Sequence, residues 1–115
     1  MITLYGIKNC DTIRKARRWL AEHGIEYRFH DFRADGIGED MLTPWIEEMG
    51  WEALLNRRGT SWRKLPQTER ETIDRDSAIL LMLTQPAIIR RPVLDTGRVR
   101  HIGFSEQTYR SLLQD

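Results

Sequence analysis

The stretch "MITLYGIKNCDTIRKARRWLAEHGIEYRFH", residues 1–30, restricts the fold more than any other part of the chain. Ile2 and Leu4, with Thr3 and Tyr5 beside them, suit a short buried strand; Gly6 lets the chain turn, and Asn9 to Thr12 offer helix-capping side chains. Ile13, Ala16 and Leu20 then recur at helical spacing, with Arg14, Lys15, Arg17 and Arg18 on the other faces, until Gly24 supplies a C-terminal stop. Ile25, Tyr27 and Phe29 alternate with Glu26, Arg28 and His30, the period of two of a half-buried strand, and "HDFRADGIG" follows as a loop. A strand, a helix and a second strand within about 30 residues form a parallel crossover unit, which needs a sheet with a helix laid on its face.

The middle of the chain changes character. From about Glu39 to Arg75 helical spacing replaces strand alternation: Met41, Trp45 and Met49 lie on one stripe, Leu42 and Ile46 beside it, and Pro44 is expected near a helix start. Trp45, Trp51 and Trp62 are expected to pack this helical insertion, over about residues 38–75, while "SWRKLPQTERET" reads as polar and irregular. Asp74 is placed to cap a helix that Pro86 ends, so 74–85 reads as a helix of the core. Strand character returns at Ile88 and Ile89. A hairpin follows, with Val93 and Leu94, a turn at Asp95 to Gly97, then Val99 and Ile102, and Ser105 caps a last helix. The order predicts one α/β, thioredoxin-like (glutaredoxin-like) domain over 1–115: a mixed sheet from 1–35 and 86–115, flanked by helices and interrupted by the insertion.

Composition narrows the function classes. Eighteen Lys and Arg against 17 Asp and Glu, with 40% hydrophobic residues, is the balance of a globular protein and gives no reason to expect nucleic acid as a direct partner. No apolar run approaches the roughly 18 residues of a membrane span, and "MITLYGI" opens as a strand rather than a charged leader, so a cytoplasmic protein without a membrane partner is expected. His23, His30 and His101 share no metal-ligand spacing with one another or with Cys10, and no metal is expected.

Cys10 is the only cysteine, so it cannot form an internal disulfide, and redox chemistry would need an external thiol. Free cysteines are often buried as small hydrophobes. The junction of first strand and first helix argues otherwise, because free N–H groups and the helix dipole stabilise a thiolate there, and Lys8 is close enough in sequence to add charge. Arg14 and Arg18 lie further along the helix, where they can simply form its solvated face.

Three segments, "YGIKNCDTIRKARRWL", "ALLNRRGTSWRKL" and "RRPVL", carry a resemblance over essentially the whole chain to the glutaredoxin-type arsenate reductase (ArsC) family. The chain most resembles the YffB branch; the redox-responsive transcription regulator Spx is a more distant member. The resemblance implies a thioredoxin-like domain with a helical insertion, a cysteine nucleophile at Cys10, a cis proline at Pro92, and glutathione as co-substrate with no bound cofactor. Arsenate-reducing members hold the oxyanion with three arginines. One falls on Arg91; without gaps the others fall on Asn56, with Arg57 and Arg58 adjacent, and on Gly103, with Arg100 three residues earlier. Position 13 is Ile, so the Cys-x-x-Cys switch of some Spx members is absent.

The expected function is therefore a glutathione-dependent thiol reductase with Cys10 as nucleophile and glutaredoxin as a further thiol partner. Lys8, Asn9, Arg57, Arg58, Arg91, Pro92 and Arg100 are the candidate substrate-binding residues. A true arsenate reductase and an Spx-like regulator that binds RNA polymerase are the alternatives.

Overall fold

The computed structural model describes residues 1–114. In chain order the elements are β1 (Thr3–Gly6), α1 (Asp11–Glu22), β2 (Arg28–Asp31), α2 (Glu39–Met49), α3 (Trp51–Leu54), α4 (Thr60–Arg63) and α5 (Gln67–Glu71). They continue with α6 (Arg75–Thr84), a 3-10 turn (Pro86–Ile88), β3 (Val93–Asp95), β4 (Arg100–Ile102) and α7 (Glu106–Leu113). The chain forms two compact units, one of residues 1–35 with the chain from Arg91 onward, the other of Gly36–Arg90.

The first unit holds a four-stranded mixed sheet in the order β2-β1-β3-β4. β1 pairs with β2 in parallel, and β3 runs antiparallel to both β1 and β4, the arrangement of a thioredoxin-like fold. Leu4 and Leu94 face each other across β1 and β3. Together with Ala16, Trp19 and Leu20 of α1 and Tyr109 of α7 they form the core, so both helices cover one face of the sheet. Each such large apolar side chain contributes about 1.5–3 kcal/mol by leaving water. Tyr109 meets the edges of Trp19 and Phe104 at ring separations of 5.8 and 4.8 Å, the geometry that ring quadrupoles favour.

Both ends of α1 follow from local chemistry. Cys10 is the N-cap, in extended backbone conformation, and its carbonyl accepts the first helical bond, from Arg14 N–H at 2.9 Å. At the other end Gly24 takes φ +66°; its N–H donates to Ala21 O and that of Ile25 to Leu20 O, which closes the helix in a Schellman motif. This closure uses Ile25, so β2 starts at Arg28 rather than at Ile25 where the alternation begins. Arg17, expected on the solvated face, donates to Tyr27 Oη at 3.0 Å and lies 4.3 Å from the Phe29 ring centroid, tying α1 to the segment entering β2.

The second unit is helical, and differs from the sequence expectation in several places. Gly50 at φ +90° divides the helical stretch into α2 and α3. Pro44 lies inside α2 rather than near its start, on an exposed face where water can take over the carbonyl it leaves free. The polar "SWRKLPQTERET" contains α4 and α5, anchored by the buried Trp62 and Leu65. Ile88 ends a 3-10 turn and Ile89 makes a single bridge to Leu55, in place of a strand. α6 begins as expected: the Asp74 carboxylate accepts from Ser77 N–H and the Ser77 hydroxyl accepts from Asp74 N–H, both at 2.9 Å. It belongs to this second unit, packed with α2 and α3, and not to the sheet unit. Trp45 is buried in α2 and Trp51 half-buried in α3.

Gly6, the last residue of β1, is fixed by packing. A Cβ there would sit 2.1 Å from Ile13 Cδ1 and 2.9 Å from Ile13 Cγ1, and Ile13 is only 1% exposed. Gly6→Ala is therefore expected to cost about 1–3 kcal/mol by overpacking, measured by urea unfolding. Ile13→Val removes Cδ1, so in that background the cost of Gly6→Ala should shrink; an unchanged cost would assign it to something other than this contact.

Candidate functional site

The segment Ile7–Cys10 joins β1 to α1. Ile7 is buried, Lys8 and Asn9 are exposed, and Asn9 takes φ +74°, the left-handed region in which Asn is among the tolerated residues. Lys8 N–H donates to Asp31 Oδ2 at 3.2 Å. Asp31, at the end of β2 and 8% exposed, also accepts from Arg33 N–H at 2.8 Å and Ala34 N–H at 3.3 Å. Burial pushes the Asp31 carboxyl up, but the amides of Arg33, Lys8 and Ala34 and the Arg33 charge outweigh it and hold it below the ordinary carboxylate value. One carboxylate thus fixes both the loop that carries Cys10 and the turn after β2. Sequence reading passed over Asp31 as part of a loop; its signal is an Asp at a strand end followed by a polar turn, where Asx geometry is favoured.

Cys10 is half-buried, neither sealed in the core nor fully exposed. Burial pushes its thiol up, yet the Ile13 N–H, a hydrogen bond from the Arg91 guanidinium, the Thr12 N–H and the Arg91 charge together bring it below the ordinary thiol value. Cys10 Sγ makes no side-chain capping hydrogen bond of standard geometry at the start of α1. Lys8 is absent from these main influences, so its contribution to the loop is its backbone N–H rather than its ammonium. Arg14 pairs with Asp11, one turn into α1.

Arg91 and Pro92 precede β3, and the peptide bond between them is cis. Tyr5 of β1 opposes Val93, which puts this bond beside the end of β1 from which the Cys10 loop departs. Pro92 is buried, and its carbonyl accepts from Gly103 N–H at 2.8 Å. Gly103, where one family arginine would fall, has φ +92° and serves through its backbone.

Arg100 bonds Asp95 at 3.3 Å, and Asp95 opposes Thr3, so Arg100 sits at the opposite end of the sheet, at least about 10 Å along the strands from the Cys10 end. The structure removes it from the site, because the hairpin register turns it to Asp95. Arg57 and Arg58 belong to the second unit, where with Leu55, Asn56 and Arg90 they line a cavity of about 310 Å³. Among the described residues no three His, Cys, Asp or Glu side chains gather as metal ligands would, and no helix is long and apolar enough to cross a membrane.

The lowered thiol has a larger thiolate fraction than an unperturbed cysteine, and the Arg91 guanidinium stabilises that charge. The midpoint of Cys10 alkylation against pH is expected below the value of about 8.5 for a free thiol. Arg91→Ala should raise the midpoint part of the way, since the amides of Ile13 and Thr12 remain, whereas Lys8→Ala should leave it nearly unchanged. The reverse order of the two variants would transfer the electrostatic role to Lys8.

Comparison with known proteins gives this geometry a setting. The sequence model of the ArsC family matches residues 5–112. A protein of Haemophilus influenzae, described only as uncharacterized, is 41% identical over 111 residues, covering 96% of this chain and 97% of the relative. The global transcriptional regulator Spx of Streptococcus pyogenes is 29% identical over 115 residues, covering 98% of this chain and 85% of the regulator. The solved structure of a YffB protein superposes with a TM-score of 0.93 at 47% identity, covering 98% of this chain and 99% of the other. An arsenate reductase (ArsC) related protein from Brucella melitensis superposes with a TM-score of 0.80 at 45% identity, covering 99% and 95%. A thiol at a helix N-terminus, a cis proline beside it and these likenesses agree, and the chain belongs to the ArsC family.

Proposed function

We propose that the chain is a glutathione-dependent thiol oxidoreductase whose nucleophile is Cys10, working in the cytoplasm where reduced glutathione is abundant. The observation that carries this reading is the half-buried thiol held below its ordinary titration by Arg91 and the start of α1. The Cys10 thiolate attacks one sulfur of a glutathione disulfide; the protein–glutathione S–S bond forms as the old S–S bond breaks, and the other thiolate leaves. A second, different external thiolate, from a glutaredoxin, then attacks the glutathione sulfur, takes the glutathionyl group and releases the Cys10 thiolate. Arg91 and the backbone at Pro92 are assigned to the carboxylate or developing anion, and Lys8 and Asn9 to the rim of the loop.

The likeness to Spx favours one other reading, a regulator that contacts RNA polymerase with little turnover. Under excess glutathione disulfide the enzyme reading expects intact protein to gain one glutathionyl group at Cys10, and Arg91→Ala to gain it more slowly. Recovery of only unmodified protein, or of a disulfide dimer, would overturn the glutathione assignment; specific retention of RNA polymerase from lysate without glutathionylation would install the regulator.

Arsenate reduction is expected to be weak or absent. Arg91 is the one family arginine that the sheet unit sets beside Cys10, while Gly103 and Asn56 hold the ungapped places of the other two. A charge-assisted contact is worth about 1.5–3 kcal/mol, so two absent contacts cost roughly two to four decades in rate. Steady-state assays with glutathione and glutaredoxin check this, and turnover at the level of an authentic arsenate reductase would refute it.

A further inference from the structure

A cavity of about 330 Å³ opens in the sheet unit between α1 and the entry to α7. Lys15, Arg18, Trp19 and Glu22, which share one face of α1 at helical spacing, line one side, and Phe104 and Glu106 line the other. Its size falls within the range of small-molecule sites, about 300–1,000 Å³. Trp19 is 2% exposed, and its ring is held by His23 stacked at 4.0 Å and by Tyr109 set perpendicular to it at 5.8 Å. The Trp19 Nε1–H is buried and has no hydrogen-bond partner, a donor that the core leaves unsatisfied. Lys15, Arg18, Glu22 and Glu106 are exposed and form no ion pair among the described residues. Arg18 and Glu22 are spaced to pair, but cation before anion is the weaker order along a helix. Neither Cys10 nor Arg91 lines the cavity, and Trp19 and Glu22 lie about 13 and 18 Å beyond Cys10 along the axis of α1.

A buried donor without a partner is costly, and an acceptor brought by a ligand removes that cost. Lys15 and Arg18 add two cations on the same side, which suits a carboxylate. A simple anion does not match the whole lining, because Glu22 and Glu106 repel it; a simple amine meets Lys15 and Arg18 in the same way. A ligand that carries both charges close together satisfies all four side chains, and Trp19 with Phe104 offers an aromatic wall to the rest of it. From these residues we infer that the cavity is a binding site for an apolar α-amino acid, taken as the zwitterion. Its carboxylate faces Lys15, Arg18 and the Trp19 Nε1–H, its ammonium faces Glu22 and Glu106, and its side chain lies on Trp19 and Phe104. The site goes beyond the thiol chemistry and asks nothing of Cys10.

Amide and indole NMR of the full chain tests this, by titration with L-phenylalanine at pH 7 and constant ionic strength. The indole Nε1–H resonance of Trp19 is expected to shift saturably with the amides of Lys15, Glu22, Phe104 and Glu106, and to do so equally in Cys10→Ser. Phenylalaninamide, which lacks the carboxylate, and phenylpropionate, which lacks the ammonium, should each bind at least about tenfold more weakly. Arg18→Gln and Glu22→Gln, both at exposed positions, should each weaken phenylalanine about two- to fivefold. Absence of a saturable shift up to the solubility of phenylalanine, binding of either analogue as tightly as the amino acid, or shifts centred on Cys10 and Arg91 would each overturn the assignment. Glutathione bound at Trp19 more tightly than phenylalanine would overturn it too.

Discussion

The arrangement around Cys10 depends on a buried carboxylate. Among the described residues Asp31 forms no ion pair; three backbone N–H groups, from Lys8, Arg33 and Ala34, hold it, with the Arg33 charge adding to them. Burying a charge is costly unless its lone pairs are satisfied, and charge-assisted bonds of this kind are the stronger class of hydrogen bond. The Asp31 carboxyl titrates lower in the folded chain than in the unfolded one, so its stabilisation is fully present above the ordinary carboxylate range and fades as pH falls through the lowered native value. The loop that presents Cys10 is thus secured by a group that stays ionised at neutral pH. Through the same loop, Gly6 lets Ile13 pack down on the end of β1, which sets where α1 begins and hence where its free N–H groups point.

Elements whose cause is local were legible in the sequence. The Asp74 and Ser105 caps, the Gly24 stop, the apolar stripe of α1 and the turn between β3 and β4 all rest on side chains within a few residues of the feature they create. Elements that need distant partners were not. α4 and α5 form in a polar stretch because Trp62 and Leu65 are buried, which local pattern cannot reveal. Ile89 pairs with Leu55 across the insertion rather than extending as a strand.

The site divides along the same line. The position of Cys10 at a strand-to-helix junction could be read directly, whereas the choice of its partner could not. Lys8 is near in sequence, but its ammonium is not among the main influences; Arg91, 81 positions along the chain by number, is. Family likeness rather than periodicity pointed to Arg91. Arg100 failed for a register reason: antiparallel pairing of β3 and β4 sets it opposite Asp95, at the wrong end of the sheet. Asp31 was missed because its importance comes from a loop more than twenty residues upstream, with which it shares no sequence signal.

The Arg91 guanidinium beside the Cys10 thiol bears on the thiol chemistry proposed above. Lowering a thiol's titration raises the fraction of thiolate but weakens each thiolate as a nucleophile, with a Brønsted slope of about 0.4–0.5. The gain in population outweighs the loss while the native value stays near ambient pH. A depressed value also makes Cys10 the better leaving group of a mixed disulfide, so in the proposed reaction attack by an external thiolate at the glutathione sulfur would be the favoured exit. A chain with one cysteine needs that exit, having no internal thiol to complete the cycle. Clamping a tetrahedral oxyanion makes the opposite demand, for several fixed charges around the sulfur, and at Gly103 the place of one is taken by a residue whose φ of +92° suits the backbone contact to Pro92. On the thiol chemistry proposed above, the same sheet end suits thiol exchange better than oxyanion reduction, through the backbone as much as through the side chains.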